Sequence, residues 1–160
     1  PATNNWTNTE SSTSNINHFQ AVVYDNKIYI VGAFTGNYPK ESPVSTIRIY
    51  DPATDQLIEG PIIPENRRRG STGTVVYNNK IYIVGGNRNG HSAFMADGVT
   101  PANVAWFDEY DPTTNTWKTL PDAPHARDHF AAVLVNDKLY VTGGRRSKFG
   151  TPDGTFNDME

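Results

Sequence analysis

Val22-Val23-Tyr24-Asp25-Asn26-Lys27-Ile28-Tyr29-Ile30-Val31-Gly32 decides the fold, because the chain writes it three times. It returns as Val75-Val76-Tyr77-Asn78-Asn79-Lys80-Ile81-Tyr82-Ile83-Val84-Gly85, and again as Val133-Leu134-Val135-Asn136-Asp137-Lys138-Leu139-Tyr140-Val141-Thr142-Gly143. Lys27 and Lys80 are 53 positions apart, Lys80 and Lys138 are 58. In each copy β-branched and aromatic residues run up to an Asn/Asp pair and resume directly after it. Asn and Asp tolerate left-handed backbone, so each pair suits a two-residue turn joining antiparallel strands.

A second unit lies between the copies. Ile49-Tyr50-Asp51-Pro52-Ala53-Thr54-Asp55-Gln56-Leu57 matches Glu109-Tyr110-Asp111-Pro112-Thr113-Thr114-Asn115-Thr116-Trp117, and its tail opens the chain as Pro1-Ala2-Thr3-Asn4-Asn5-Trp6. Asp accepts a bond from backbone just ahead of it and Pro presets φ, so Asp-Pro opens a second turn. Four strands in a repeat of fifty-odd residues is the pattern of a propeller blade.

The repeat resembles the kelch motif. A strand leads to Lys-Ile-Tyr-Ile-Val-Gly-Gly, then Tyr-Asp-Pro, then Trp. Gly85-Gly86 and Gly143-Gly144 match the family's double glycine, where the first copy has Gly32-Ala33. Trp6 and Trp117 match its Trp, where the middle copy has Leu57. The resemblance implies an all-β, kelch-type β-propeller of four-stranded antiparallel blades. With strands named A to D, the expected order is strand D at 1–10, a blade at 18–62, a blade at 70–120, strands A and B at 128–144, and a B–C loop at 145–160. Such rings close with six or seven blades, so this reads as a segment of a larger ring. Its unpaired edges invite self-association that completes the ring.

Strand parity divides the faces. The A–B and C–D turns share one face and are tight. The B–C and D–A connections share the other and hold the long stretches, 33–45, 87–103 and 145 onward. Long loops on a rigid scaffold are where function concentrates. Residues opening each strand A should ring the channel on that face, and alignment pairs Arg69 with Arg127, and His18 with Ser71 and His129. The candidate ligand-binding residues are Arg68, Arg69, Arg127, Asp128, His129, Arg88, His91 and Arg145, whose guanidinium groups suit carboxylates, hydroxyls or carbonyls. For Arg69 and Arg127, an inter-blade structural role weighs equally. Phe94, Met95 and Tyr38 have no repeat-mates and suit covering a blade or contacting a ligand. Tyr29, Tyr82, Tyr140, Tyr50, Tyr110, Trp6 and Trp117 are expected in packing.

Other chemistry is thinly represented. The net charge of −3 supplies no basic field for nucleic acid. No apolar run suits membrane insertion. There is no Cys, so this segment holds neither a disulfide, a Cys-ligated zinc, nor the Tyr–Cys cross-link of a galactose-oxidase-like enzyme. His18, His91, His125 and His129 show no metal-binding spacing, so neither metal nor cofactor is expected. An epimerase- or mutarotase-like sugar enzyme would need an acid/base beside an anion-binding Arg. Only Arg127-Asp128-His129 resembles that. The favoured reading is a binding module, not an enzyme, presenting the B–C/D–A face to a protein or glycan. A purely structural segment is the remaining alternative. The sequon Asn5-Trp6-Thr7, the absence of Cys and the Asn/Thr-rich surface lean slightly toward a secreted or cell-surface location and leave the compartment open.

Overall fold

Thirteen strands organise the described part of the chain. The computed structural model describes residues 4–8 and 15–145. In chain order the strands are β1 (Ile16–Asn17), β2 (Ala21–Tyr24), β3 (Lys27–Ile30), β4 (Phe34–Thr35), β5 (Ser42–Pro43), β6 (Thr46–Asp51) and β7 (Gln56–Ile62). There follow β8 (Gly73–Tyr77), β9 (Lys80–Val84), β10 (Phe107–Asp111), β11 (Thr116–Leu120), β12 (Ala131–Val135) and β13 (Lys138–Thr142). They form two antiparallel four-stranded sheets, β2-β3-β6-β7 and β8-β9-β10-β11, and the hairpin β12-β13. These are strands A to D of two blades and strands A and B of a third. A short three-stranded sheet, β1-β4-β5, folds part of the first long B–C connection back onto the chain entering strand A.

The turns form as their residues dictate. Both central residues are left-handed in every A–B hairpin: Asp25 and Asn26 at φ 48° and 58°, Asn78 and Asn79 at 48° and 58°, Asn136 and Asp137 at 50° and 61°. Left-handed backbone at both positions gives the twist that matches two flanking strands. In the C–D turns Asp51 Oδ1 accepts the Ala53 N–H at 2.9 Å, and Asp111 Oδ1 accepts the Thr113 N–H at 2.9 Å. Register repeats as well, since Tyr50 lies opposite Leu57 and Tyr110 opposite Trp117. The Tyr110 and Trp117 rings stack at 4.9 Å. Residues 4–8 carry no strand and Trp6 is 97% exposed, so the packing expected of that Trp does not occur. Residues 1–3, 9–14 and 146–160, on which the rest of strand D and nearly all of the last B–C loop were expected, lie outside the described residues.

Blade stacks on blade through two apolar clusters. Ile30, Val31, Ile47, Ile49 and Ile63 of the first blade meet Ile81, Ile83 and Tyr110 of the second. Val75 and Val84 of the second meet Ala132 and Val141 of the third. Fully burying one such Ile contributes roughly 1.5–3 kcal/mol, so each buried Ile here adds appreciably to holding blade on blade. The double glycine lets the blades close. Gly86 sits at φ +107°, and a Cβ there would come 2.8 Å from the Gly70 carbonyl oxygen.

Strands A crowd the axis. β8 packs between β2 and β12, and Gln20, just before β2, bridges both neighbours. Its Nε2 donates to the carbonyls of Thr74 (3.0 Å) and Ala132 (2.7 Å), while its Oε1 accepts the Ala132 N–H at 3.0 Å. One residue ahead of each approach to strand A, the backbone turns left-handed at the same repeat position: His18 (φ 53°), Ser71 (55°) and His129 (55°). The antiparallel order places these three residues, the B–C connections and the D–A connections at one end of the blades.

Candidate functional site

Two aligned arginines prove to be parts of the fold. Arg69 is 2% exposed. Its Nε donates to the Gly85 carbonyl at 2.6 Å, Nη1 to the Arg67 carbonyl at 2.8 Å and Nη2 to the Ile83 carbonyl at 3.2 Å. Nη2 also pairs with Asp108 Oδ2 at 2.8 Å. Arg127, equally enclosed, donates through Nη1 to Gly143, the repeat-mate of Gly85, at 2.8 Å. Both guanidinium groups are enclosed, and these bonds run to the strands of the arginine's own blade and, for Arg69, to its approach segment. Arg67 joins Asp108 at 2.9 Å, and Trp106 lies under the guanidinium groups of Arg67, Arg69 and Arg88 at 4.2, 5.5 and 5.3 Å.

The remaining candidates sit nearer solvent. Arg68 is half-buried and donates to the Ile63 carbonyl at 3.2 Å. Arg88 is half-buried and donates to the Pro101 carbonyl at 2.8 Å, bracing its own B–C loop. Arg145 binds Asp128 Oδ1 through Nε at 2.9 Å.

Asp128 is the hub of the rim. Fully buried, it accepts from Asn87 Nδ2 (3.1 Å) and Asn103 Nδ2 (3.0 Å) on one oxygen, and from Arg145 and His129 Nδ1 (2.6 Å) on the other. Four donors, two from the second B–C connection and two from the third blade, surround one carboxylate, which makes Asp128 a positioning group with its acceptor sites filled.

The structure brings together what spacing along the chain did not register. His18 and His129 occupy the left-handed positions of the first and third blades, and His91 reaches between them from the second B–C loop. The ring centroids of His18 lie 4.6 Å from those of His91 and 4.7 Å from those of His129, with His91 and His129 at 5.3 Å. His91 is seated by Gly90, whose φ is +53° and whose Cβ position would lie 2.7 Å from the Glu41 carbonyl oxygen. Only glycine lets the two B–C loops approach so closely. Each Nδ1 then finds an oxygen: Asn17 Oδ1 for His18 at 2.6 Å, Glu41 Oε2 for His91 at 2.9 Å, Asp128 Oδ1 for His129. Glu41 is itself buried.

Electrostatics follow from this crowding. Burial, and then the neighbouring His129 and His91 rings, hold the His18 imidazole below its ordinary value, against an opposing pull from Glu41. Burial would raise the Glu41 carboxyl. The hydrogen bond from His91 and the Glu41 backbone N–H outweigh it and hold the group below its ordinary value.

Beside the cluster, the long loops line a groove of about 420 Å³. Ala93, Phe94 and Pro101 come from the second B–C loop, Pro124, His125 and Ala126 from the following D–A segment. Asn103, which holds Asp128, forms its floor. Phe94 is 47% exposed in this groove, and the half-buried Met95 does not line it. Tyr38 is exposed with its ring 4.9 Å from His91.

The kelch motif model matches residues 17–56 and 68–124, well over half of the chain. The chain belongs to the kelch-repeat family. Among curated kelch relatives, the Kelch-like protein terF of Aspergillus terreus is 37% identical over 146 residues, covering 89% of this chain and 30% of its own length. The influenza virus NS1A-binding protein homolog of Mus musculus is 30% identical over 137 residues, covering 82% of this chain and 20% of its own. The chain therefore spans a third or less of these kelch proteins. A solved structure, that of YjhT, superposes with a TM-score of 0.66 over 82% of this chain and 45% of its own, at 16% identity, which supports the propeller fold alone.

Proposed function

We propose that this kelch segment is a protein-binding module that works through its B–C/D–A loop face. One observation carries the reading: the second B–C loop and the following D–A segment converge on the groove lined by Phe94, Pro101 and His125. The groove is largely apolar with a few polar groups at its edge, a composition that holds an amino-acid side chain better than a hydroxyl-rich sugar. Phe94 is the natural anchor, since aromatic residues dominate binding energy at interfaces. The name of the mouse relative, a binding protein for influenza NS1A, agrees with a protein ligand. A glycan ligand on the same face is the other outcome the test separates. Arg88, which donates to the carbonyl of Pro101, would contribute a polar contact at the edge.

The test is selection of a displayed peptide library on the purified protein, run in parallel with a glycan array. Peptides sharing a motif should be enriched, and their binding should fall at least tenfold with Phe94→Glu and stay unchanged with Thr54→Arg on the opposite, tight-turn face. Binding indifferent to Phe94 would refute the site. Array hits without peptide enrichment would refute the ligand class.

A further inference from the structure

His18, His91 and His129 form a ring of imidazoles in which one ligand-capable nitrogen from each lies within 4.8 Å of the others. Three features separate this from a chance cluster of surface histidines. The first is preorganisation. His18 and His129 stand at the same left-handed repeat position of two blades, and His91 is locked between loops by the Gly90 approach. The second is tautomer. Each Nδ1 donates to an oxygen of Asn17, Glu41 or Asp128, so each Nε2 keeps its lone pair. The third is the outer shell. Metal-binding histidines characteristically donate their other N–H to a carboxylate or carbonyl, which orients the ring and raises its basicity. Glu41 and Asp128 are buried carboxylates in that role.

We propose that these three imidazoles bind one divalent first-row transition-metal ion, with zinc the reference case. Three nitrogens on a tetrahedral zinc stand about 3.3 Å apart, given zinc–nitrogen distances near 2.0–2.1 Å. Starting from nitrogens within 4.8 Å of one another, metal binding would draw the rings together by up to about 1.5 Å. Neutral imidazole nitrogens suit zinc and its neighbours and select against magnesium and calcium, which take oxygen ligands. Three protein ligands leave a fourth position for water or an exogenous oxygen. Arg145 lies at that edge, its Nη2 3.4 Å from His129 Nε2 and its Nε on Asp128. Metal entry displaces this long contact, and the guanidinium then favours an anionic fourth ligand. Glu41 and Asp128 offset the added charge.

The inference does not rest on capture of a protein by the groove, because the metal is titrated alone. The protein is stripped with chelator and titrated calorimetrically with zinc chloride, with magnesium chloride as control. One zinc per chain and no magnesium are expected. His91→Ala and His129→Ala should each weaken zinc binding roughly 100-fold or more, and Glu41→Gln about 10–100-fold. His125→Ala, which removes the histidine outside the ring, should leave it unchanged. Circular dichroism checks each variant's fold. If the alanine variants fail to fold, imidazole nitrogen NMR of the unmodified protein gives the answer: zinc should shift Nε2 of three histidines and spare His125. Absence of saturable zinc uptake, uptake insensitive to the His91 and His129 changes, or shifts centred on His125 would overturn the proposal.

Discussion

Asp108→Ala tests whether the buried arginine network holds the second blade to its approach segment. Asp108 and Arg69 are both essentially enclosed, and Asp108 also receives Arg67. Removing the carboxylate leaves a charged guanidinium in the interior. Burial already pulls the Arg69 guanidinium well below its ordinary range, to about 10, with Asp108 acting in the opposite direction. Breaking a buried pair by deleting one partner typically costs about 3–5 kcal/mol. Arg69 retains three carbonyl acceptors and Arg67 can turn to water, so the expected loss lies at the lower end, about 3 kcal/mol. For a chain of this size each kcal/mol moves Tm by about 2–4 °C, giving a fall of about 6–12 °C. Urea unfolding followed by Trp fluorescence measures it, with Trp106 beside the network as reporter. Replacing both partners, as Arg69→Met with Asp108→Ala, should cost less than the sum of the single changes, because no stranded charge remains. A loss below about 1 kcal/mol for Asp108→Ala would refute the reasoning, showing that Arg69 needs no counter-charge.

Two further outcomes are expected. Gln20→Ala removes three hydrogen bonds between strands A and leaves Ala132 N–H without its partner, a loss of about 1–3 kcal/mol. Amide exchange at Ala132 should quicken, and unchanged exchange would contradict the bridge. Hydrogen bonding from Lys80, and then from Tyr82, holds the Glu109 carboxyl below its ordinary 4.5, with burial opposing. A depressed carboxyl contributes stability that is full above that value and is lost as pH falls through the folded-state value. Glu109→Gln should therefore flatten the stability decline between about pH 5 and pH 3. Parallel declines for the two proteins would count against it.

The repeat made the blades legible because their determinants are local. Asn78-Asn79 specify a left-handed two-residue turn that sets Tyr77 opposite Lys80, and Asp111-Pro112 opens the turn that sets Tyr110 opposite Trp117. Trp6 shows the limit, since a residue matching the motif still needs a strand beside it to pack upon. The arginines at 69 and 127 could be aligned but not assigned. Their carbonyl partners repeat, Gly85 for Arg69 and Gly143 for Arg127, but the acidic partner does not: the position of Asp108 in the second blade is held in the first by Arg48, which pairs with Glu59. The imidazole ring was half visible. His18 and His129 aligned as rim residues, whereas His91 arrives from a loop with no repeat-mate, positioned by contact between Gly90 and Glu41 across fifty residues. No periodicity encodes such a contact.

The left-handed position ahead of each strand A has a consequence for how these rings diversify. At Ser71 the backbone amide already bonds the His18 carbonyl at 2.7 Å, whatever the side chain. The main chain thus meets its structural obligations there without help from the residue's identity. Around a whole ring this provides one interchangeable socket per blade at the mouth of the axis. Here two sockets carry imidazole and one carries a hydroxyl. The chemistry of that mouth is thus set by the side chain at one position per blade, within the residue types that left-handed backbone accepts.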